Sequence, residues 1–247
     1  METVLVTGAA SGIGQAAARR LARRMRVVAA DRNADGAAAL AEELRRAGHA
    51  ATSVEVDVSR GESVRRMAAW IDADVGPVHA LFNNAGFNRR GRVEDITEED
   101  WDAMMATHVK GMYLCAQAVL PQMCARGAGA IVNTSSDFAV MGVAGIATYT
   151  SAKTAIYSLT KSLALEFAPH GIRVNAIGPG PIDTPLLRSG RAPGEEAAAL
   201  EQQRRRVPMG RLGRPEEVAA VVDFLLDGRS SYITGQIIHP NGGALSW

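Results

Sequence analysis

Tyr149 and Lys153, four residues apart in Tyr149-Thr-Ser-Ala-Lys153, are the residues of this chain best suited by type and spacing to proton chemistry. On a helix, positions i and i+4 share a face, so the phenol and the ammonium would lie together. A free phenol ionises near pH ~10, and a cation within a few ångströms favours the phenolate, so the spacing predicts a group that exchanges a proton near neutrality. Ser136 stands thirteen residues upstream in Asn133-Thr-Ser-Ser136, just after the apolar run Ala130-Ile131-Val132. That run reads as a buried strand. A strand end, a crossing loop and a helix start can bring the Ser136 hydroxyl beside the phenol. The only lysines are Lys110, Lys153 and Lys161, so chance has few opportunities to place one after a tyrosine.

The elements that must position these groups alternate between strand and helix. Thr3 to Val6 is a short apolar strand, followed at once by Thr7-Gly8-Ala9-Ala10-Ser11-Gly12-Ile13-Gly14 and an Ala- and Arg-rich helix. Glycines in such a loop let backbone amides approach a pyrophosphate, and the helix N-terminus adds its dipole and unpaired N–H groups. The spacing is GxxxGxG and not the GxGxxG of the common dinucleotide fingerprint. A second strand, Arg26 to Ala30, ends in Asp31. An acid there accepts hydrogen bonds from ribose hydroxyls and repels a 2′-phosphate, so NAD is expected over NADP; the adjacent Arg32 is the counter-argument.

A helix over about 35–47 and a strand from Thr52 to Val58 follow. After another helix comes His79-Ala-Leu-Phe-Asn83-Asn84-Ala85-Gly86, whose small final pair leaves room for a flat ligand. In the next segment Trp101, Met104, Met105, His108, Val109 and Met112 recur at three and four, an apolar stripe that carries His108 inward. A core histidine satisfied by a backbone partner fits that stripe; so does an imidazole in a proton path. The loop Phe87-Asn88-Arg89-Arg90-Gly91 leaves a strand's C-terminal end, where Arg89 or Arg90 could meet an anionic substrate, although exposed arginines are more often only solvated.

The helix carrying the tyrosine should run over about 149–167, burying Ala152, Ile156, Leu159, Leu163 and Phe167. A strand from Gly171 leads into Gly178-Pro179-Gly180-Pro181-Ile182-Asp183-Thr184. Residues 186–207, punctuated by Gly190, Pro193 and Gly194, read as a mobile helical lid over the substrate. Arg214-Pro215-Glu216-Glu217 opens the last helix, with Pro in the first turn and acids at the positive dipole end. This alternation predicts a single α/β domain over 1–247: a doubly wound, Rossmann-type parallel sheet of about seven strands, helices on both faces, and a crevice at the strands' C-terminal ends.

Taken together, Asn-x-Ser-Ser, the Tyr-x-x-x-Lys that follows, the GxxxGxG loop, Asn83-Asn84-Ala85-Gly86 and Pro179-Gly180 with Thr184 resemble the short-chain dehydrogenase/reductase family over essentially the whole chain. The resemblance implies reversible hydride transfer between a nicotinamide cofactor and a secondary alcohol or ketone. It implies that Tyr149 moves the hydroxyl proton, that Ser136 holds the same oxygen, and that Lys153 tunes the phenol and binds the nicotinamide ribose. Asp57 and Val58 would edge the adenine, Asn84, Ala85 and Gly86 would support the cofactor ribose, and the Ile182 backbone with the Thr184 hydroxyl would hold the carboxamide. His108 replaces the Asn whose carbonyl, in most members, holds a water that links the lysine to solvent. Members are commonly tetramers or dimers, so a homo-oligomer is expected, compatible with the apolar helix stripes and Trp247.

Bulk composition narrows the alternatives. Hydrophobic residues make up 47% and charged residues 21%, and the net charge is +1, which gives no field for nucleic acid. Aromatic content of 5% leaves little for base stacking. No apolar run reaches the ~18 residues of a membrane helix and no signal segment precedes the first strand, so no membrane contact and a cytoplasmic location are expected. The clusters Arg19-Arg20, Arg23-Arg24 and Arg204-Arg205-Arg206 read as solvated helix faces. Cys115 and Cys124 fall on opposite sides of one helix, and the five histidines lack ligand spacing, so neither a disulfide nor a metal is expected.

The cavity walls offered by Asp137, Phe138, Met141 and Val143, with Pro181 and the lid, suggest a mostly apolar substrate site with one acid at its edge, with Ser136, Phe138, Met141 and Tyr149 touching a small-molecule substrate. Two rivals share these motifs. One is a reductase of 3-oxoacyl thioesters, which normally takes NADPH and against which Asp31 speaks. The other is a non-catalytic nucleotide-binding protein of the same fold, which the intact Ser136, Tyr149 and Lys153 disfavour.

Overall fold

A computed structural model describes residues 1–189 and 196–245. Seven strands form one sheet: β1 (Thr3–Thr7), β2 (Arg26–Asp31), β3 (Ala51–Glu55), β4 (Ala80–Asn83), β5 (Gly129–Thr134), β6 (Ile172–Ile177) and β7 (Ile237–Ile238). Every pairing is parallel, in the order β3-β2-β1-β4-β5-β6-β7. The helices between them are α1 (Gly12–Leu21), α2 (Ala34–Arg46), α3 (Gly61–Asp74), α4 (Glu98–Met105), α5 (Gly111–Arg126), α6 (Ala147–Phe167), α7 (Pro185–Arg188), α8 (Glu196–Arg205) and α9 (Pro215–Leu226).

Side chains alternate across a strand, and the sheet's two faces show it. Val4, Val6, Phe82 and Val132 pack under α1, α2 and α9, with Leu21, Leu40 and Val222. Leu5, Leu81, Ile131 and Val174 face α3, α5 and α6, with Ile71, Cys115 and Leu163. Burial on both faces is why the strands read as continuous apolar runs. Ala16, Ala17 and Ala18, all buried, let α1 lie close against the sheet. The order reverses between β1 and β4, which opens a crevice beyond their C-terminal ends.

Buried polar side chains fix the register around that crevice. Asn83 Nδ2 donates to Asn133 Oδ1 (3.0 Å) and to the Met112 carbonyl (3.1 Å), and Asn133 Nδ2 donates to Thr160 Oγ1 (3.0 Å). β4, β5, α5 and α6 are thereby tied at one level. A second link crosses the α1–α9 contact, where Arg20 and Arg24 both pair with Asp223. These two arginines are thus structural partners of an acid, where solvated faces were expected.

Three elements differ from the sequence expectation. β3 ends at Glu55, because Asp57 turns the chain: its Oδ1 accepts from the Ser59 amide (3.0 Å) and hydroxyl (2.6 Å). The expected single long helix is α4 and α5 joined through a π-helical turn, Ala106–Lys110. α6 begins two residues before Tyr149, at Ala147. Cys115 and Cys124 are both free on α5. Among the described residues no helix is long and apolar enough to cross a membrane. Gly190, Pro193, Gly194 and Trp247 lie outside the described residues.

Candidate active site

Two adjoining cavities open at the strands' C-terminal ends. The first follows the glycine loop. Gly8 (φ +67°) and Gly12 (φ +55°) both take left-handed backbone. A Cβ on Gly8 would come within 2.8 Å of the Ala85 backbone. Ser11 occupies the N-cap of α1 without capping it by a side-chain bond, so protein side chains leave the first amides of α1 free to meet an anion. Gly14 does something different: it does not line the cavity, and its Cβ would sit 2.0 Å from the Gly8 carbonyl oxygen. Its smallness holds the helix against the loop.

Gly8, Ser11, Gly12 and Ile13 share this cavity with Asp31 and Arg32 at the end of β2. Asp31 is held in place by two amides: Oδ2 accepts from Ala10 (2.9 Å) and Oδ1 from Asn33 (2.8 Å). Asp57, Val58, Asn84, Ala85 and Gly86 line it further along, and Thr184 closes it. The Asn84-Ala85 corner is fastened by Thr7, whose Oγ1 accepts both amides (3.0 and 3.2 Å). Phe87 and Leu186, from the loop and the lid that the sequence marked, also line the cavity, as do Thr107 and Pro185, of which local spacing in the sequence carried no sign. An amide-lined turn at a helix N-terminus, an acid in the same cavity at the end of the neighbouring strand and a narrow gap at Gly86 suit a dinucleotide.

The second cavity joins the first through Ile13, Thr184 and Leu186, and its wall holds Ser136 and Tyr149. Pro179, Gly180 and Ile182 border it. Ser136 is near enough to Tyr149 to lower its phenol's pKa, accepts the Phe138 amide (3.1 Å) and lies 3.1 Å from Asp137 Oδ1. Lys153 is buried behind the phenol: its Nζ donates to the Thr134 carbonyl (2.7 Å) and sits 5.5 Å from the Tyr149 ring centre.

The electrostatics depart from the expected lysine-tuned phenol. Burial pushes the Tyr149 phenol up to about 12; Ser136 and Arg90 pull down, and the Asp137 charge adds to the rise. Burial also lowers Lys153 to about 7. Desolvation disfavours both charged forms, and it is the largest cause of each shift.

His108 is buried, with its ring edge-on to Tyr149 at 5.7 Å. Its Nε2 is 3.1 Å from the Phe87 amide and 2.7 Å from the Phe87 carbonyl, and Nδ1 is buried with no partner. Burial first, and the Lys153 charge second, hold its pKa well below the ordinary histidine value. The imidazole is therefore neutral and braces the Gly86-Phe87 corner, where a Cβ on Gly86 would be 2.3 Å from His108 Cε1.

The substrate side is more polar than the expected mostly apolar walls. Asn88, Arg90, Asp137 and Gln203 line it beside Phe138, Pro181 and Leu187, whereas Met141 does not. Arg89, the alternative anion contact, is instead paired with Asp100. Of the arginine cluster at the end of α8, Arg204 and Arg205 pair with Glu201 on an exposed face. Arg206 turns inward and stacks 4.9 Å over Phe138. Over the described part of the expected lid, Leu186, Leu187 and Gln203 border this cavity. No group of three His, Cys, Asp or Glu side chains suited to a metal occurs among the described residues.

A parallel sheet whose reversal point carries a glycine-loop cavity, joined to a Ser136–Tyr149 cavity, defines a Rossmann-type nucleotide-dependent protein. A sequence profile described as "Enoyl-(Acyl carrier protein) reductase" matches residues 8–244. A cis-4-hydroxycyclohexanecarboxylate dehydrogenase of Sinomonas cyclohexanicum is 39% identical over 97% of this chain and 94% of its own. A 3-oxoacyl-(acyl-carrier-protein) reductase of Staphylococcus epidermidis is 35% identical over 98% of both. The crystal structure of a gluconate 5-dehydrogenase from Burkholderia cenocepacia, in complex with NADP and tartrate, superposes with a TM-score of 0.92 at 35% identity, covering 98% of this chain and 94% of that one. The chain belongs to the short-chain dehydrogenase/reductase family and is an NAD(P)-dependent oxidoreductase acting on alcohol and ketone groups.

Proposed function

We propose that this enzyme interconverts a small, polar secondary alcohol and its ketone, with Tyr149 exchanging the proton on the reacting oxygen and Ser136 holding that oxygen. The observation that carries this is the Ser136 and Tyr149 side chains together on the wall of a cavity continuous with the glycine loop. The nicotinamide group, when bound, supplies or takes up the hydride. The protein's part is to hold and move the proton: a phenol kept protonated is the form that gives a proton to a carbonyl oxygen in reduction. Lys153 backs the phenol from within, and the Gly8, Ser11, Gly12 and Ile13 backbone would hold the pyrophosphate. Pro179, Gly180, Ile182 and Thr184 would border the nicotinamide end.

Asp31, fixed by the Ala10 and Asn33 amides, supports NAD over NADP because a 2′-phosphate placed against it would meet a carboxylate. Arg90, close enough to lower the phenol's pKa, supports a substrate carrying a carboxylate, a hydroxy or keto acid. The names of two relatives point the same way, toward gluconate and a hydroxycyclohexanecarboxylate. The second reading, an NADPH-dependent 3-oxoacyl-thioester reductase, is favoured by Arg32 in the nucleotide cavity and by the staphylococcal relative.

Nicotinamide absorbance across hydroxy acids, neutral alcohols, their ketones and 3-oxoacyl thioesters, each with both cofactors, separates the readings. Turnover confined to thioesters with NADPH would replace the first with the second. A homo-oligomer is also proposed, because Leu165 on α6 (81% exposed) and Phe224 on α9 (37% exposed) leave apolar surface uncovered; light scattering that gives a monomer mass would refute it.

A further inference from the structure

Ser136 has three neighbours to satisfy with one proton and two lone pairs. The Phe138 amide occupies one lone pair, at 3.1 Å. Asp137 Oδ1, 3.1 Å away, competes for the rest with Tyr149, on the same cavity wall and near enough for Ser136 to lower its pKa. An ionised Asp137 can only accept, so it would capture the Ser136 proton and leave Ser136 with nothing to give the reacting oxygen. A protonated Asp137 reverses the bond. Its Oδ1–H donates to the second lone pair, and the Ser136 proton is then free to point into the cavity.

The surroundings favour the protonated form. Asp137 is buried, and its Oδ2 has no hydrogen-bond partner. An unpartnered oxygen is far more costly on a carboxylate than on a neutral acid. The charged and titratable groups that face it are Tyr149 on α6 and Arg206 after α8, with Arg90 acting on the same phenol from the loop after β4. Lys153 is engaged with the Thr134 carbonyl. Burial raises the carboxyl to about 6, against the opposing pull of Ser136, Arg206 and the local amides.

We propose that Asp137 is a positioning residue for Ser136: neutral, it donates to the serine hydroxyl and turns that hydroxyl's proton toward the substrate oxygen, and its ionisation withdraws the proton. This rests on the roles given above to Ser136 and Tyr149. It adds a pH control of carbonyl reduction that originates neither in the phenol nor in the lysine.

The test is Asp137→Asn, whose amide donates at every pH and so imitates the neutral acid. Wild-type ketone reduction should fall as pH rises through the Asp137 titration. The variant should lose that limb and exceed wild type at about pH 8, while Asp137→Leu should also lose the limb but run slower than Asp137→Asn by roughly tenfold at every pH, for want of the donor. Infrared spectra of the resting protein with carbon-isotope-labelled aspartate should show a carboxylic-acid band that Asp137→Asn removes and that titrates with the rate limb. An Asn variant that folds, as judged by circular dichroism, and keeps the limb overturns the proposal. So does absence of the acid band. If wild type reduces no carbonyl at all, the assignment of Ser136 and Tyr149 fails instead, and the infrared titration still reports on Asp137.

Discussion

Around the glycine loop the cavity wall is largely main chain: left-handed turns at Gly8 and Gly12, uncapped amides at the start of α1, and the Thr7-braced corner at Asn84 and Ala85. On the substrate side the wall carries ionisable side chains, Tyr149 raised to about 12 and Asp137 raised to about 6, with Lys153, lowered to about 7, buried behind the phenol. The first half selects its ligand by what fits between backbones. The second does chemistry by holding protons where water would not leave them. A substitution in the first should therefore act through volume and affinity, and one in the second through proton transfer and pH.

The largest effect should come from Tyr149→Phe, which keeps the ring and removes the proton. Turnover is expected to drop by ~10²–10⁴ with dinucleotide Kd unchanged; stopped-flow turnover together with fluorescence titration checks both, and near-normal turnover would end the assignment. Next is Gly14→Ala, whose Cβ would press on the Gly8 carbonyl. The loop must move, so affinity for NAD and NADP should fall together by more than about tenfold. A variant that binds both normally would show that the loop yields at little cost.

Asp31→Asn is expected to change the ratio of the two affinities by roughly tenfold in favour of NADP, with the Ser136–Tyr149 chemistry untouched. An unchanged ratio would take cofactor choice away from the main chain's neighbouring acid. The smallest effect is a pH slope in stability. A lysine whose folded pKa is depressed adds stability that is present above its ordinary pKa of 10.5 and lost as pH falls through about 7. Wild-type Tm should therefore drop more than that of Lys153→Met between about pH 9 and about pH 6. Parallel profiles would mean that the ammonium is hydrated.

These halves were also unequally legible in the sequence. The glycine turn, Asp31 and the Tyr149–Lys153 pair depend on local spacing, so their places could be read from the chain alone. What the sequence hid depends on distant segments. Arg206 stacks on Phe138 from the segment just after α8, and the partner of Lys153 is the carbonyl of Thr134, which has no side-chain signature. The sign of the phenol's shift depends on how much protein covers the pair, a property of the packed fold. Asp57 shows the same limit at short range, since the strand's alternation continued past the point where its side chain folds back on Ser59.

The π-helical turn at 106–110 has a consequence for chain length. Such a turn is an α-helix holding one surplus residue, so deleting a residue there should leave α4 and α5 in rotational phase, whereas a deletion inside α5 would swing Cys115 and Val119 about 100° from the sheet. The shortened protein is expected to keep its helical circular dichroism while the imidazole withdraws from the Phe87 backbone. The widened turn is then an adjustable joint, a site at which relatives could differ in length while the sheet keeps its packing.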